Sequence, residues 1–202
     1  EICACLVGSE MCIRDSVWAE VYRVPYKRIP LDSSFRINPS DYMNDNGGII
    51  FPNPNAPTGV FESVSVIEEI VKANPQSVVI IDEAYIDFGG QSCLPLVDKY
   101  DNLLVVQTFS KSRSMAGMRI GFAVGNERLI KYLNDVKFSV NSYTMNHITQ
   151  ICGAAAVEDE EYFRVTVNKI IATREKTKAR LSELGFSFPD SMSNFIFASH
   201  CK

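Results

Sequence analysis

Short aliphatic runs separated by polar, turn-forming stretches set the pattern of this chain. Gly48-Ile49-Ile50-Phe51, Ser77-Val78-Val79-Ile80-Ile81 and Leu103-Leu104-Val105-Val106-Gln107 are continuous rather than alternating, which predicts strands buried on both faces. A further strand is predicted over 119–124, and at most a short one over 27–31, just past Pro25. Phe61, Val64, Ile67, Ile70 and Val71 recur at helical spacing within 60–73. Asn126 is placed to cap a helix reaching about residue 138, and helices follow over 144–157 and 159–184, the second ending at Gly185. Residues 17–22 fit the end of an amphipathic helix or a short strand, 32–46 are polar and turn-rich, and 186–198 read as strands of a different unit. Trp18 and the phenylalanines of that last segment are expected in the core, and the charged face of 158–180 in solvent.

Strands alternating with helices, most of them unbroken aliphatic runs, imply an α/β fold with a mainly parallel sheet covered by helices. Residues 1–16 have neither helical nor strand period. They resemble the peptide that results when sequencing-adapter DNA is translated in frame, so they are set outside the fold and the natural chain is expected to begin near Val17.

Composition narrows the partners. Of the 202 residues, 46% are hydrophobic and 22% charged, with a formal net charge of −4. That balance gives no general attraction to nucleic acid or to an anionic membrane, so any anion site must be local. No apolar run approaches the ~20 residues of a membrane span, and the apolar stretch 2–8 follows Glu1 rather than a basic segment, unlike a secretory signal. The six cysteines form no Cys-x-x-Cys pair, and His147 and His200 lie far apart, so neither a disulfide framework nor a metal centre is expected. Cytoplasm is the expected compartment.

The chemistry gathers where strands end. In parallel sheets, sites lie beyond the carboxyl ends of the strands. Three such ends here carry unusual residues: the turn Pro52-Asn53-Pro54-Asn55-Ala56-Pro57-Thr58-Gly59, then Asp82-Glu83-Ala84-Tyr85, then Thr108-Phe109-Ser110-Lys111 with Arg119 eight residues on. Lys111, Arg119 and the two hydroxyls suit an anionic ligand, or a desolvated amine that attacks a carbonyl, or an ordinary basic surface loop. Asp82 after four aliphatic residues suits a magnesium-holding strand of a nucleotidase, but that needs a Gly-Lys phosphate loop, and none of the eleven glycines is followed by lysine. It also suits a partner for a protonated pyridine ring, an electron sink for a carbanion. Pyridoxal phosphate accounts for all of these residues together: Lys111 for the aldehyde, Asp82 and Tyr85 for the ring, Arg119, Ser110 and Thr108 for the phosphate.

Asn55-Ala56-Pro57-Thr58-Gly59, Asp82-Glu83-Ala84-Tyr85 and Ser110-Lys111 with Arg119, in that order, resemble the fold-type I aminotransferases. The fuller runs Val79-Ile80-Ile81-Asp82-Glu83-Ala84-Tyr85 and Thr108-Phe109-Ser110-Lys111, followed by Ala116-Gly117-Met118-Arg119, are most similar to the histidinol-phosphate aminotransferase family. The resemblance implies that Lys111 binds the cofactor covalently and moves a proton at the substrate α-carbon, that Asp82 pairs with the pyridine nitrogen, and that Tyr85 meets the ring oxygen. Thr108, Ser110 and Arg119 would hold the phosphate. The family commonly places an asparagine where Ala56 stands. Asn55, one residue earlier, is the candidate to replace it, the alternative being that the contact is lost. By the same likeness, 17–157 is a partial cofactor-binding large domain and 158–202 the start of a smaller α+β domain. The implied reaction moves an amino group between L-histidinol phosphate and 2-oxoglutarate in histidine biosynthesis, in a homodimer. A threonine-phosphate decarboxylase, an aromatic aminotransferase of the same fold, and an inactive or regulatory module remain as alternatives.

Overall fold

The structure, a computed structural model, describes residues 2–5 and 10–201, with side chains from Ser16 onward. Its frame is a six-stranded sheet: β1 (Ile2–Cys5), β2 (Tyr26–Ile29), β3 (Gly48–Pro52), β4 (Val78–Asp82), β5 (Leu103–Thr108) and β6 (Gly121–Gly125), in spatial order β2-β1-β3-β4-β5-β6. All pairs are parallel except β5 with β6. The α/β expectation therefore holds, with an antiparallel strand at one edge. The helices are α1 (Glu10–Val21), α2 (Val64–Ala73), α3 (Glu127–Val140), α4 (His147–Glu158) and α5 (Glu160–Glu183).

Alternation along β3, β4 and β5 decides which face is core. Ile49, Phe51, Val79, Ile81, Leu103 and Val105 point to one face and join Ile67, Ile70 and Val71 of α2 in the main hydrophobic cluster. The amphipathic stripe read from 60–73 is thus the stripe that packs, although the helix itself starts only at Val64. On the other face Ile50, Ile80 and Val106 are half-buried, and α1 leaves a groove of about 250 Å³ lined by Trp18, Tyr22, Tyr26, Ile50 and Ile80. Trp18 is consequently 58% exposed and stacks on Tyr22 rather than sitting in the core.

Several boundaries differ from the sequence reading for identifiable reasons. Residues 2–5, set outside the fold above, form a strand between β2 and β3, where their backbone pairs with both neighbours. The strand expected from Arg119 begins only at Gly121, because Ala116–Met118 form a 3-10 turn and Arg119 adopts a left-handed φ of 57°. Asn126, Asn146 and Asp159 cap α3, α4 and α5 by accepting from backbone amides in their first turns. Residues 186–198 do not form strands beyond one antiparallel bridge, Ser187 with Ser199. Their backbone groups are committed elsewhere: the Met192 amide donates to the Gly59 carbonyl (2.8 Å), and the Phe195 carbonyl accepts from Ser191 Oγ (2.6 Å). No described helix is long and apolar enough to cross a membrane.

Candidate active site

Sheet register brings the three strand ends together. Pro52 pairs with Asp82, and Asp82 with Val106, so the turns leaving β3, β4 and β5 lie side by side. The Asn53 amide donates to the Asp82 carbonyl and the Glu83 amide to the Val106 carbonyl, each at 2.8 Å, extending the ladder one step past the strands. Asp82 Oδ1 accepts from the Ala84 amide at 2.9 Å, a side-chain-to-backbone turn that stops β4 and lifts Tyr85 into the site. Tyr85 is buried, its ring set between two groups. Lys111 Nζ lies 5.0 Å from the ring centroid, and the Phe195 ring meets it edge-on, 83° from parallel, at a centroid distance of 5.0 Å.

The β5–β6 hairpin assembles the second half of the cluster. Thr108 pairs with Gly121, and the Phe109 amide donates to the Ile120 carbonyl, so the antiparallel register carries Arg119 back alongside Ser110. The Ser110 amide donates to Thr108 Oγ1 at 3.1 Å, and the Thr108 hydroxyl lies within hydrogen-bond distance of Ser110 Oγ (2.9 Å) and the Ile120 carbonyl (3.2 Å). Arg119 is exposed, and its guanidinium donates to the Ala116 carbonyl at 3.0 Å. Asn55 is buried and its amide group donates to Thr58 Oγ1 at 2.6 Å, so this side chain braces its own turn. The Lys111 loop is tied down on both sides of the site. Ser112 Oγ donates to Asp87, just past β4, and the Arg113 guanidinium lies 4.1 Å from the Phe163 ring centroid while donating to the Ala156 carbonyl in the last turn of α4.

Three groups of consequence escaped the sequence reading. Glu83 is 1% exposed and accepts from Ser92 Oγ (2.6 Å), the Cys93 amide (2.6 Å) and the Gln107 side-chain amide (2.8 Å). Its position after an aliphatic run was the available signal, since a carboxylate there must be met by donors. Burial, reinforced by the Glu83 charge, pushes the Cys93 thiol up to about 12. At pH 8, Cys93 is expected to react with iodoacetamide roughly 10³-fold more slowly than the cysteine of a short unstructured peptide, an ordinary thiol with a pKa of about 8.5. Timed alkylation read by peptide mass spectrometry checks this.

Arg174 corrects the expectation that the charged helix over 158–180 simply faces solvent. It is 8% exposed, and its Nη1 donates to the carbonyls of Phe88 (2.8 Å) and Ser193 (2.9 Å), while Nε donates to Glu175 (2.8 Å). Around it Val167, Phe163, Ile170, Ile171 and Phe195 pack on Ala56, Ala84, Tyr85 and Phe88, so α5 forms a lid on the strand-end turns. Arg174→Met keeps much of the aliphatic volume and removes the donors. It is expected to destabilise the fold by about 2 kcal/mol, read in urea unfolding, and to expose the segment after Gly185 to protease.

The family model for aminotransferase class I and II matches residues 12–202. The chain is 53% identical over 186 residues to the histidinol-phosphate aminotransferase of Lactococcus lactis subsp. cremoris (strain SK11), covering 92% of this chain and 52% of that protein. It is 54% identical, over the same shares, to the enzyme of that name from Brachyspira hyodysenteriae. The chain thus spans about half the length of the curated relatives it matches. Among solved structures, the histidinol-phosphate aminotransferase of Clostridium acetobutylicum superposes with a TM-score of 0.87 at 23% identity, over 97% of this chain and 60% of that one. The Sinorhizobium meliloti enzyme, crystallised in complex with pyridoxal-5'-phosphate, gives 0.86 at 18% identity, over 100% and 55%. At those identities the superpositions speak for the fold alone. Fold, ordered motifs and family model agree, and the chain belongs to the class I and II aminotransferase family.

Proposed function

We propose that this chain carries the cofactor-binding half of a pyridoxal phosphate-dependent aminotransferase acting on L-histidinol phosphate and 2-oxoglutarate in histidine biosynthesis. The observation that carries the reading is the meeting of Asp82, Tyr85 and Lys111 at neighbouring strand ends, with Lys111 Nζ 5.0 Å from the Tyr85 ring centroid. The residues fit the cofactor by their chemistry: a primary amine, a carboxylate at a strand end, a buried phenol, and two hydroxyls with a guanidinium on one hairpin. When bound, pyridoxal phosphate supplies an aldehyde that takes amines covalently and a ring that draws electrons from the α-carbon. Asp82 would hold the proton on the ring nitrogen, and the Tyr85 phenol would donate to the ring oxygen. Thr108, Ser110 and Arg119 would bind the phosphate, Arg119 by turning from the Ala116 carbonyl. Lys111 Nζ would take the proton from the substrate α-carbon and return it. Asn55, with its amide committed to Thr58, would act on the turn's shape. The choice of histidinol phosphate as amino donor is supported by the 53% identity to a protein named histidinol-phosphate aminotransferase. The same reading places the protein in the cytoplasm as a homodimer.

The test is to add pyridoxal phosphate to the purified chain, reduce with borohydride and map the modified peptide. Label on Lys111 supports the reading. Label spread over surface lysines, with none at Lys111, would sink it.

A further inference from the structure

The segment after Gly185 enters the site through one side chain. Phe195 meets the Tyr85 ring edge-on at 5.0 Å, on a ring whose centroid also lies 5.0 Å from Lys111 Nζ. The backbone around it is fastened at several points. Met192 N–H donates to the Gly59 carbonyl (2.8 Å), Ser191 Oγ to the Phe195 carbonyl (2.6 Å), and Ser193 N–H to Ser191 Oγ (3.1 Å), while Arg174 ties the Ser193 carbonyl (2.9 Å) to that of Phe88 (2.8 Å). Gly59 has a φ of +75°, and a Cβ there would lie 2.2 Å from Ser191 Oγ, so the turn after β3 and this segment are fitted closely. Phe195 is therefore held against Tyr85 by contacts with two of the three strand-end turns.

We propose that Phe195 is a positioning residue of the active site, setting the Tyr85 phenol and, through its ring, Lys111. Edge-to-face pairs resist reorientation of either ring. Rotation of Tyr85 about χ2 leaves its oxygen in place, but a change in χ1 carries the oxygen away, and loss of the Phe195 ring opens room for that change. The ring face near Lys111 attracts an ammonium, so the plane of Tyr85 also affects where Nζ rests. The inference rests on the cofactor reading for its consequence, though the contact itself stands without it.

Two measurements test the idea. In the cofactor-free chain carrying 3-fluorotyrosine, Phe195→Leu is expected to shift and broaden the fluorine resonance of Tyr85, identified by its loss in Tyr85→Phe, while Phe195→Tyr restores it. In the chain loaded with pyridoxal phosphate, the absorbance is titrated against pH. A phenol donating to the ring oxygen stabilises its deprotonated form, so Tyr85→Phe moves the midpoint up. Phe195→Leu is expected to move it the same way by less, and to add nothing in the Tyr85→Phe background. An unmoved fluorine resonance, or shifts that simply add in the double variant, would overturn the proposal. Absence of any bound-cofactor absorbance in the wild-type chain, with Lys111 unlabelled, counts against the cofactor reading instead, and the fluorine comparison then decides Phe195 alone. Should Phe195→Leu lose its fold by circular dichroism, Phe195→Met, which keeps an unbranched apolar chain without a ring, replaces it in both measurements.

Discussion

If the proposed function holds, Lys111→Ala is expected to abolish the borohydride-stable label and to lower transamination by roughly 10⁴-fold, because in that reading one side chain supplies both the covalent amine and the proton carrier. The rate is followed as 2-oxoglutarate-dependent consumption of histidinol phosphate. Lys111→Arg is the sharper variant. It keeps a cation able to sit over the Tyr85 ring, 5.0 Å from Nζ in the wild type, but a guanidinium stays protonated and cannot attack a carbonyl. Both variants should therefore fall together in rate and label while keeping the wild-type unfolding midpoint. A Lys111→Arg protein with more than about a tenth of wild-type rate would remove Lys111 from the chemistry.

The second large effect concerns stability. Glu83 accepts three hydrogen bonds, from Ser92, Cys93 and Gln107, in a position 1% exposed. Glu83→Ala leaves those donors facing a cavity, and at 1–3 kcal/mol for each buried donor left unpaired the expected loss is about 4 kcal/mol. That is a large share of the 5–15 kcal/mol that holds an ordinary domain together. Glu83→Gln keeps one acceptor oxygen and should lose about half as much. Urea unfolding of the variants checks both values, and a Glu83→Ala loss under about 1 kcal/mol would show that water replaces the carboxylate at little cost. Cys93 offers a second readout. Burial is the first cause of its raised thiol and Glu83 the second, so in folded Glu83→Gln the thiol should remain slow towards iodoacetamide.

These effects differ in how far they could be read from residue order. Lys111, Asp82 and Tyr85 were legible because a buried parallel strand leaves little freedom. Four aliphatics commit the backbone to the sheet, and the residues just past them must emerge at its carboxyl edge. The helix cap Asn126 was legible for a similar local reason, since a short polar side chain before an apolar-periodic run can satisfy the free amides there. Arg119 was legible as a member of the cluster but not in its present posture, which depends on the left-handed turn at its own backbone.

What escaped lies at long range. The Arg174 guanidinium meets the Phe88 carbonyl 86 residues away, and nothing in either stretch marks that carbonyl as one left without a donor. The strand pattern over 186–198 was misleading because alternation reports only that alternate residues face different surroundings. Here those surroundings are the Gly59 turn and the Tyr85 ring rather than a second sheet. The core position expected for Trp18 does not hold, because how much of the second face is covered depends on where α1 lies over the sheet.

Sequence by itself thus determined the α/β class, the strands from β3 to β5 and the three turns at their carboxyl ends, because local propensity and burial pattern agree there. Only the tertiary structure decided that α5 closes over those turns, that Glu83 is caged beside Asp82, and that Phe195 stands against Tyr85. Each of these depends on matching donors, acceptors and ring faces between distant segments, and that matching exists only once the sheet has set the distances among them.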